Sequence, residues 1–273
     1  MNGAGATPPP AALACVPGLE SGAAPLRVER LEGGIVNDSW RVDTASGRFV
    51  LRVAGSAAQR PGVDRARERE IHEIAARAGL APRVLLWDDV AGVQVREFID
   101  GRAWGERDLR EAAQLRRLGG RLATLHALPP PANLAPFDPG ECANQYLRLI
   151  EAGGAPTQTA AAIAADVHGA ADSVTARGGR HAIVHGDLGS ANLLEGERLW
   201  LLDWEYAQLA DPVYDAACLL AYCPAARPQA PALLEAAGLA AAAGDGTLEQ
   251  AIRVYEGLTW LWHRARGTGV RAP

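Results

Sequence analysis

Lysine is absent from this 273-residue chain, and all 27 of its Lys and Arg positions are arginines. Every permanent side-chain cation is therefore a guanidinium, which keeps its charge and donates hydrogen bonds in a planar fork. The net charge of −5 and the pI near 5.7 provide no basic footprint. This balance argues against nucleic acid as a partner and leaves a cationic ligand open.

Long apolar runs and paired cysteines are also scarce. No apolar stretch approaches the roughly 18 residues that a membrane span requires, and the amino terminus has no basic segment leading into a long apolar one. We therefore expect no membrane partner and a cytoplasmic location. The four cysteines are too few and too scattered for a disulfide framework, so we expect buried free thiols.

The chain length and the hydrophobic content of 48% suit one large domain or two modest lobes. Residues 1–25 are rich in Ala, Pro and Gly, and we expect them to be partly disordered and to carry no chemistry. Residues 26–99 contain five strand-like stretches and a helix with an apolar stripe from about Asp64 to Ala78. Residues 100–273 have a mostly helical pattern. Within them, later helices are predicted near 142–152, 158–176, 213–222, 230–243 and 247–266.

The most informative segment is HGDLGSANLL, which contains Asp187 and, five residues later, Asn192. A short apolar strand then leads to a second acid, Asp203. An alcohol that attacks a γ-phosphate needs a nearby carboxylate, and Mg²⁺ needs hard oxygen ligands. The spacing therefore indicates a phosphoryl-transfer centre. The alternative is a polar turn between two strands, in which Asp and Asn serve only as turn formers.

The order of these parts resembles the aminoglycoside phosphotransferase and choline kinase family, which shares the protein-kinase-like fold. The resemblance spans about Leu31 to Trp262 and is strongest over residues 183–220. It implies an α+β, two-lobed fold. A small antiparallel-sheet N-lobe with one main helix (26–99) would bind the nucleotide, and a larger, mostly helical C-lobe (100–273) would carry catalysis and the acceptor. It also implies ATP and Mg²⁺ as cofactors and a small-molecule alcohol as substrate.

The same resemblance implies roles for the central residues. Asp187 would position or deprotonate the acceptor hydroxyl, and Asn192 and Asp203 would bind Mg²⁺. His185 is expected to brace the loop through hydrogen bonds rather than to transfer protons. Asp215 would tie the following helix to the catalytic loop, and the alternative is an acid at a helix start favoured by the macrodipole.

Segments upstream carry the implied nucleotide contacts. In LEGGIVNDSW, Gly33 and Gly34 would let backbone N–H groups approach phosphate oxygens, with Asn37 and Ser39 as further phosphate contacts. The alternative is an ordinary hairpin turn. Adenine should meet backbone groups of the connection from Glu97 to Ile99, as in related kinases.

Arg52 falls where many relatives have a lysine that pairs with the α- and β-phosphates, and choline kinases resemble this chain in using arginine. The alternative is a solvent-facing strand arginine. Glu68 is expected to orient Arg52, since it lies three residues before Ile71 on the apolar stripe. Glu70 and Glu73 are interpreted as solvated partners of neighbouring arginines.

Only eleven residues separate Asp203 from Asp215. That is too few for the peptide-binding segment of a protein kinase, so we expect a compact acceptor. The sequences DWEYA and DPVYDAA resemble those of choline, ethanolamine and thiamine kinases more than the D-x-G-R pattern of aminoglycoside enzymes. Aromatic walls bind quaternary ammonium or thiazolium cations through ring faces. The expected acceptor residues are Glu205, Tyr206, Tyr255 and Trp262. For the two aromatic residues of the last helix, core packing is the alternative.

Two other functions stay open at this point. Aminoglycoside phosphorylation by the same chemistry would require acidic side chains lining the acceptor pocket. A nucleotide-binding regulatory protein without transfer activity belongs to another class, and the intact Asp187, Asn192 and Asp203 argue against it. The sequence leaves open the oligomeric state and the choice between ATP and GTP.

Overall fold

The computed structural model describes residues 7–20, 22–31, 37–54 and 61–268. In chain order, the first elements are α1 (Pro10–Leu13), β1 (Arg27–Arg30), β2 (Asn37–Thr44), β3 (Gly47–Ala54), α2 (Arg65–Arg77), β4 (Val84–Asp88) and β5 (Val93–Glu97). The five strands form one antiparallel sheet in the spatial order β1-β2-β3-β5-β4. The predicted small antiparallel lobe with one main helix is confirmed.

Strand β3 presents different chemistry on its two faces. Phe49 and Leu51 are buried on one side, where Val16 and Leu19 of the N-terminal segment cover the sheet. The intervening Arg52 points to the other side, towards α2 and the cleft between the lobes. Because side chains alternate along a strand, the same eight residues build a core and deliver a cation to the interior.

Helix α2 follows from local sequence signals. The Asp64 carboxylate caps its start by accepting the backbone N–H groups two and three residues later, at 3.0 and 3.1 Å. Ile71 of the predicted stripe is fully buried, and Glu68 is buried one turn earlier. The chain leaves the helix through Gly79, whose φ of +67° belongs to the left-handed region that glycine tolerates.

The second lobe is mostly helical. Its helices are α3 (Glu106–Leu109), α4 (Ala112–His126), α5 (Pro139–Ala152), α6 (Gln158–Thr175), α7 (Val213–Tyr222), α8 (Ala230–Ala236), α9 (Ala241–Gly244) and α10 (Thr247–Ala265). Its short strands are β6 (Arg102–Ala103), β7 (Ala182–Val184), β8 (Leu193–Glu195), β9 (Leu199–Leu201) and β10 (Gln208–Ala210). Strand β7 pairs with β10, and β8 lies between β6 and β9. Within the described ranges, no helix has the length and apolar content needed to cross a membrane.

Close packing sets the position of α10. A Cβ added at Gly257 would lie 2.5 Å from Cγ2 of Val167 on α6, so only glycine permits this approach. Another face of α10 lines the cleft with Tyr255, Leu258 and Trp262. The contact with α6 therefore fixes how far these three side chains reach into the cleft.

The structure differs from the prediction at residues 230–243. Two helices replace the single predicted one, because α8 ends at Ala236 and α9 begins only at Ala241. Gly238 lies between them with φ +72°, and its N–H donates to the oxygen of Glu235. A left-handed glycine after the last turn is a common way for a helix to end, even within an alanine-rich stretch.

Removing buried side-chain volume from the N-terminal segment should destabilise the first lobe. Leu19 is 3% exposed and Leu26 is 76% exposed, which makes them a matched pair. We expect Leu19→Ala to lower the free energy of unfolding by about 2–4 kcal/mol. Leu26→Ala should change it by less than about 0.5 kcal/mol. Urea denaturation measures both, and equal effects would show that the segment does not stabilise the sheet.

Candidate active site

A fully buried carboxylate supports the loop that follows β7. Asp215, in the first turn of α7, accepts the backbone N–H groups of His185 (2.9 Å) and Gly186 (3.0 Å). Nε2 of His126, at the end of α4, lies 2.9 Å from the same carboxylate. Both side chains are completely buried. The loop is thereby tied to two helices at once, as the resemblance implies for Asp215.

Gly186 and His185 shape the same loop. Gly186 has φ +76°, and a Cβ there would lie 2.4 Å from the backbone oxygen of Tyr206. The His185 ring lies 4.6 Å from the Trp204 ring, and its Nε2 is 2.9 Å from the oxygen of Leu202. Burial lowers the pKa of His185, so the neutral ring donates this hydrogen bond. These contacts match the bracing role expected for the histidine.

Asp187 and Asn192 meet at the floor of the cleft. The Asn192 amide group donates to the backbone oxygen of Asp187 (2.8 Å) and to its carboxylate (3.1 Å). Burial, together with the charges of Asp203 and Glu205, raises the pKa of Asp187 to about 7, although the hydrogen bond from Asn192 opposes the rise. A carboxyl group with a pKa near the working pH is suited to exchanging a proton with a hydroxyl.

Asp203 stands just beyond β9 in an unusual backbone conformation. Its φ angle is +60°, and no other non-glycine residue in the described ranges has a positive φ. Such conformations are costly and collect at functional sites. Its Oδ1 atom is buried and accepts no hydrogen bond from the described residues, although Nη2 of Arg52 lies 3.6 Å from it. A carboxylate oxygen is left available for a ligand.

The oxygens at this floor fit a hard divalent cation. The side-chain oxygen of Asn192 and the unpaired oxygen of Asp203 are the ligand types that Mg²⁺ prefers. Within the described part of the chain, no three His, Cys, Asp or Glu side chains converge to hold a metal ion. An ion held by Asn192 and Asp203 would therefore complete its shell with phosphate and water, as Mg²⁺ commonly does.

Arg52 connects the two lobes through buried carboxylates. Its Nη1 donates to Glu68 on α2 at 2.7 Å, and its Nη2 donates to Glu205 at 2.8 Å. Burial works against this guanidinium, but the charges of Asp203, Glu68 and Glu205 raise the pKa of Arg52 above its usual value. Glu73 instead pairs with Arg69 at 3.2 Å on the exposed side of α2. The structure thus places Glu68 beside Arg52, as the sequence interpretation expects.

Glu205 lies at the centre of this group and faces the N-lobe. Its Oε2 also accepts the side-chain amide of Asn37 (3.2 Å) and lies 3.4 Å from Nη1 of Arg65. Arg65 forms a further ion pair with Glu68. The sequence analysis assigned Glu205 to the acceptor and Asn37 to the phosphates. The geometry joins both to the cluster of Arg52, Glu68 and Arg65.

A cavity of about 540 Å³ lies between the lobes. We call six polar and charged side chains of its lining the charged end: Arg52, Glu68, Asp187, Asn192, Asp203 and Glu205. Six aromatic side chains of the same lining are called the aromatic end: Phe137, Tyr146, Tyr206, Tyr222, Tyr255 and Trp262. Charged and aromatic groups therefore share one space.

The family model described as "Phosphotransferase enzyme family" matches residues 27–255. The chain belongs to this family. The match covers both lobes and all the residues of the charged end. A transfer enzyme of this family with the fold described above is a small-molecule kinase, and the predicted family resemblance is confirmed.

Solved structures agree with this assignment. A choline/ethanolamine kinase family protein from Mesorhizobium loti is 26% identical with a TM-score of 0.76, over 96% of this chain and 87% of that one. Choline kinase LicA from Streptococcus pneumoniae is 23% identical with a TM-score of 0.74, over 91% and 88%. Spectinomycin phosphotransferase APH(9)-Ia is 14% identical with a TM-score of 0.64, over 91% and 84%. Among curated protein sequences, no significant match was found.

Four residues of the expected nucleotide site are not among the described residues that line the cavity. Gly33 and Gly34 fall outside the described residues. Glu97 and Ile99 are absent from the cavity lining. The Glu97 carboxylate instead accepts the N–H of Arg83 at 2.8 Å, and the Glu97 N–H donates to the Arg83 oxygen at 3.0 Å. Any base contact at this connection must therefore come from backbone groups other than that N–H.

The predicted acceptor aromatics all reach the cavity. Tyr206, Tyr255 and Trp262 line it, as does Tyr222, which the sequence analysis missed. The Tyr255 hydroxyl donates to the oxygen of Gly186 at 3.3 Å, so this ring is bound to the loop after β7. Tyr222 is the last residue of α7, a mostly apolar helix, and its aromatic ring was the only signal in the sequence.

Three polar cavity residues of the first lobe were also missed, and each lies on an element that the sequence located correctly. His72 is on α2, and Gln94 and Arg96 are on β5. On β5 the polar pair alternates with Val93 and Val95, which are buried in the opposite core. Polar residues alternating with a buried apolar pair on a central strand were the available signal.

The fold keeps His72 neutral. Burial, and to a smaller extent the charges of Arg96 and Arg52, lowers the pKa of His72 to about 4, although its bond to Pro82 and the charge of Glu68 oppose this. Its Nε2–H donates to the oxygen of Pro82 at 2.7 Å. Its ring also meets Trp87 edge-on, with centroids 5.7 Å apart.

Acid should weaken the fold through His72. Because its folded pKa is below the usual value near 6.5, the unfolded chain takes up the proton first, and stability falls as pH drops from about 6.5 towards 4. We expect the free energy of unfolding of the wild type to fall by about 2 kcal/mol more than that of His72→Gln between pH 7 and pH 5. Urea denaturation at both pH values measures this. Parallel losses in the two proteins would contradict the assignment.

Proposed function

We propose that this kinase transfers the γ-phosphate of ATP, with Mg²⁺, to the hydroxyl group of a small cationic alcohol of the choline, ethanolamine or thiamine type. The observation that carries the proposal is the shared cavity, whose lining includes the Asp187 carboxyl, the Arg52 guanidinium and the six side chains of the aromatic end. The names of the similar structures support it: two are choline or ethanolamine kinases, and LicA has been solved in complex with AMP.

Asp187 is the group that would handle the acceptor proton. The alcohol oxygen attacks the γ-phosphorus, the bond from phosphorus to the β,γ-bridging oxygen breaks, and ADP leaves with that oxygen. The hydroxyl proton passes to the Asp187 carboxylate. Since the pKa of Asp187 is about 7, a large fraction of the enzyme has this group ready to accept a proton at neutral pH. Most of the acceleration is expected from positioning and charge stabilisation.

The charged end of the cavity suits the phosphates. Arg52 is held in place by Glu68 and Glu205, so its planar fork is pre-organised to receive phosphate oxygens. Asn192 and Asp203 would hold Mg²⁺. The bound ion would neutralise charge on the phosphate oxygens.

The aromatic end favours a compact monocation over a polycationic drug. Among the described residues, the acids that line the cavity all belong to the charged end: Glu68, Asp187, Asp203 and Glu205. The side chains of α5 and α10 that line the cavity include none. An aminoglycoside with several ammonium groups would need such acids, whereas one quaternary or thiazolium cation is held by ring faces. We therefore keep aminoglycoside transfer only as the rival.

One face of the Trp262 ring is covered by a guanidinium, which leaves the opposite face for a substrate cation. The Arg266 guanidinium lies 4.7 Å from its centroid, and the His263 ring meets it edge-on at 4.7 Å. Because a guanidinium already covers one face, a substrate cation would use the opposite one. Tyr255 and Tyr222, whose rings meet edge-on at 6.0 Å, provide the neighbouring wall.

Removing the proton acceptor should nearly abolish turnover. We expect Asp187→Asn to lower kcat by about 10²- to 10⁴-fold, with nucleotide affinity within several-fold of the wild type. A coupled ADP assay and nucleotide binding by calorimetry measure the two quantities. Asp172→Asn, at an exposed position of α6, is the control and should retain full activity. Retained turnover in Asp187→Asn would reject the assigned role, and a silent wild type across all acceptors would favour the regulatory protein.

The acceptor class is tested with a matched pair of alcohols. Choline and 3,3-dimethylbutan-1-ol have the same shape but differ in charge. If ring faces bind the cation, Trp262→Leu should raise KM for choline by about 2- to 30-fold, equivalent to about 0.5–2 kcal/mol, and raise KM for the neutral alcohol much less. A panel with ethanolamine, thiamine, sugars and aminoglycosides measures the preference. Highest kcat/KM on an aminoglycoside would overturn the proposal.

A further inference from the structure

Arg96 is a cation in the cavity wall, and no described residue pairs with it. It lies on β5 between Glu97 and the buried Val95, and its side chain faces the cleft. It forms no hydrogen bond or ion pair within residues 7–20, 22–31, 37–54 and 61–268, and its Nε atom is buried. Three other arginines near the cleft differ, since Arg52, Arg65 and Arg67 all donate to protein oxygens.

An isolated guanidinium is costly inside a protein. Burial, followed by the repulsion from Arg52, lowers the pKa of Arg96 to about 10, and the more distant charges of Asp203 and Glu68 offset this only in part. A buried charge without a partner is destabilising. The cost is recovered when a ligand in the cavity supplies hydrogen-bond acceptors.

The sheet register places Arg96 further from the phosphate end than Arg52 is, towards the connection expected to meet the base. Arg52 is paired across the sheet with Gln94, and Arg96 is paired with Val50. Arg96 therefore lies two residues further along the strand than the phosphate-binding Arg52, about 7 Å at the usual rise of a strand. It immediately precedes Glu97, where the connection expected to meet the nucleobase begins.

We propose that Arg96 recognises the nucleobase of the phosphoryl donor and gives this kinase a preference for guanine nucleotides over adenine nucleotides. A guanidinium donates two parallel hydrogen bonds, and guanine offers two adjacent acceptors, O6 and N7. Adenine presents an amino group beside N7, so one of the two donors would face another donor. This inference rests on the proposed function and refines its donor: ATP would support the transfer, and GTP would support it better.

The test compares ATP, GTP and ITP as donors with one acceptor. ITP has the O6 and N7 acceptors of guanine but no 2-amino group, so it isolates the contact assigned to Arg96. We expect wild-type kcat/KM to be at least fivefold higher with GTP and ITP than with ATP. Arg96→Met should lower the ratio of kcat/KM for GTP to that for ATP by at least tenfold. Arg83→Met, at an exposed position before β4, should leave this ratio unchanged.

Two outcomes overturn the inference without touching the proposed function. A wild type that uses ATP better than GTP and ITP would do so. An Arg96→Met variant that loses the same factor with every donor would also do so, since Arg96 would then serve the shared ribose or phosphates. If no donor supports transfer to any alcohol, the proposed function itself fails.

Thermal unfolding provides a readout that needs no turnover. Because Arg96→Met removes an uncompensated charge and keeps the side-chain length, its Tm should equal or exceed that of the wild type. GDP should raise the wild-type Tm more than ADP at equal concentration, and this difference should vanish in the variant. Equal shifts by GDP and ADP in the wild type would contradict the proposal.

Discussion

The Arg52 guanidinium joins two buried carboxylates that come from different lobes, Glu68 on α2 and Glu205 beyond β9. All three side chains are nearly excluded from solvent, so removing one partner would leave an uncompensated charge in the interior. This constraint aligns the sheet of the first lobe with the loop that carries Asp203. It also holds a planar donor ready at the charged end of the cavity. Because the chain lacks lysine, the permanent cation that joins the two carboxylates has to be an arginine.

The loop after β7 shows a related arrangement at the floor of the cleft. Asp215 accepts two backbone N–H groups there and contacts His126, so a single carboxylate orders the loop and joins it to α4. Asp187, in contrast, is buried near the charges of Asp203 and Glu205, and these effects raise its pKa although Asn192 donates to it. The fold satisfies one acid fully and leaves the other with a raised pKa.

Much of the fold followed from local patterns. The alternation in β3, the cap at Asp64 and the stripe through Ile71 predicted the elements that the structure contains. The pairing of Arg52 with Glu68 was also accessible, because helix periodicity places Glu68 one turn from the buried stripe. Gly238 ended a helix that alanine content alone had extended, since a left-handed glycine outweighs helix propensity.

The sequence by itself determined which chemical groups are available: two acids and an amide at kinase-like spacing, and guanidinium as the permanent cation. Tertiary structure alone decided where Glu205 and Arg96 point. Glu205 turns to the arginines of the opposite lobe, and Arg96 faces the cleft without a partner among the described residues. Local periodicity assigns a side chain to a face of its own element. The charges it meets there come from residues up to 153 positions away, which only the packing of the two lobes brings together.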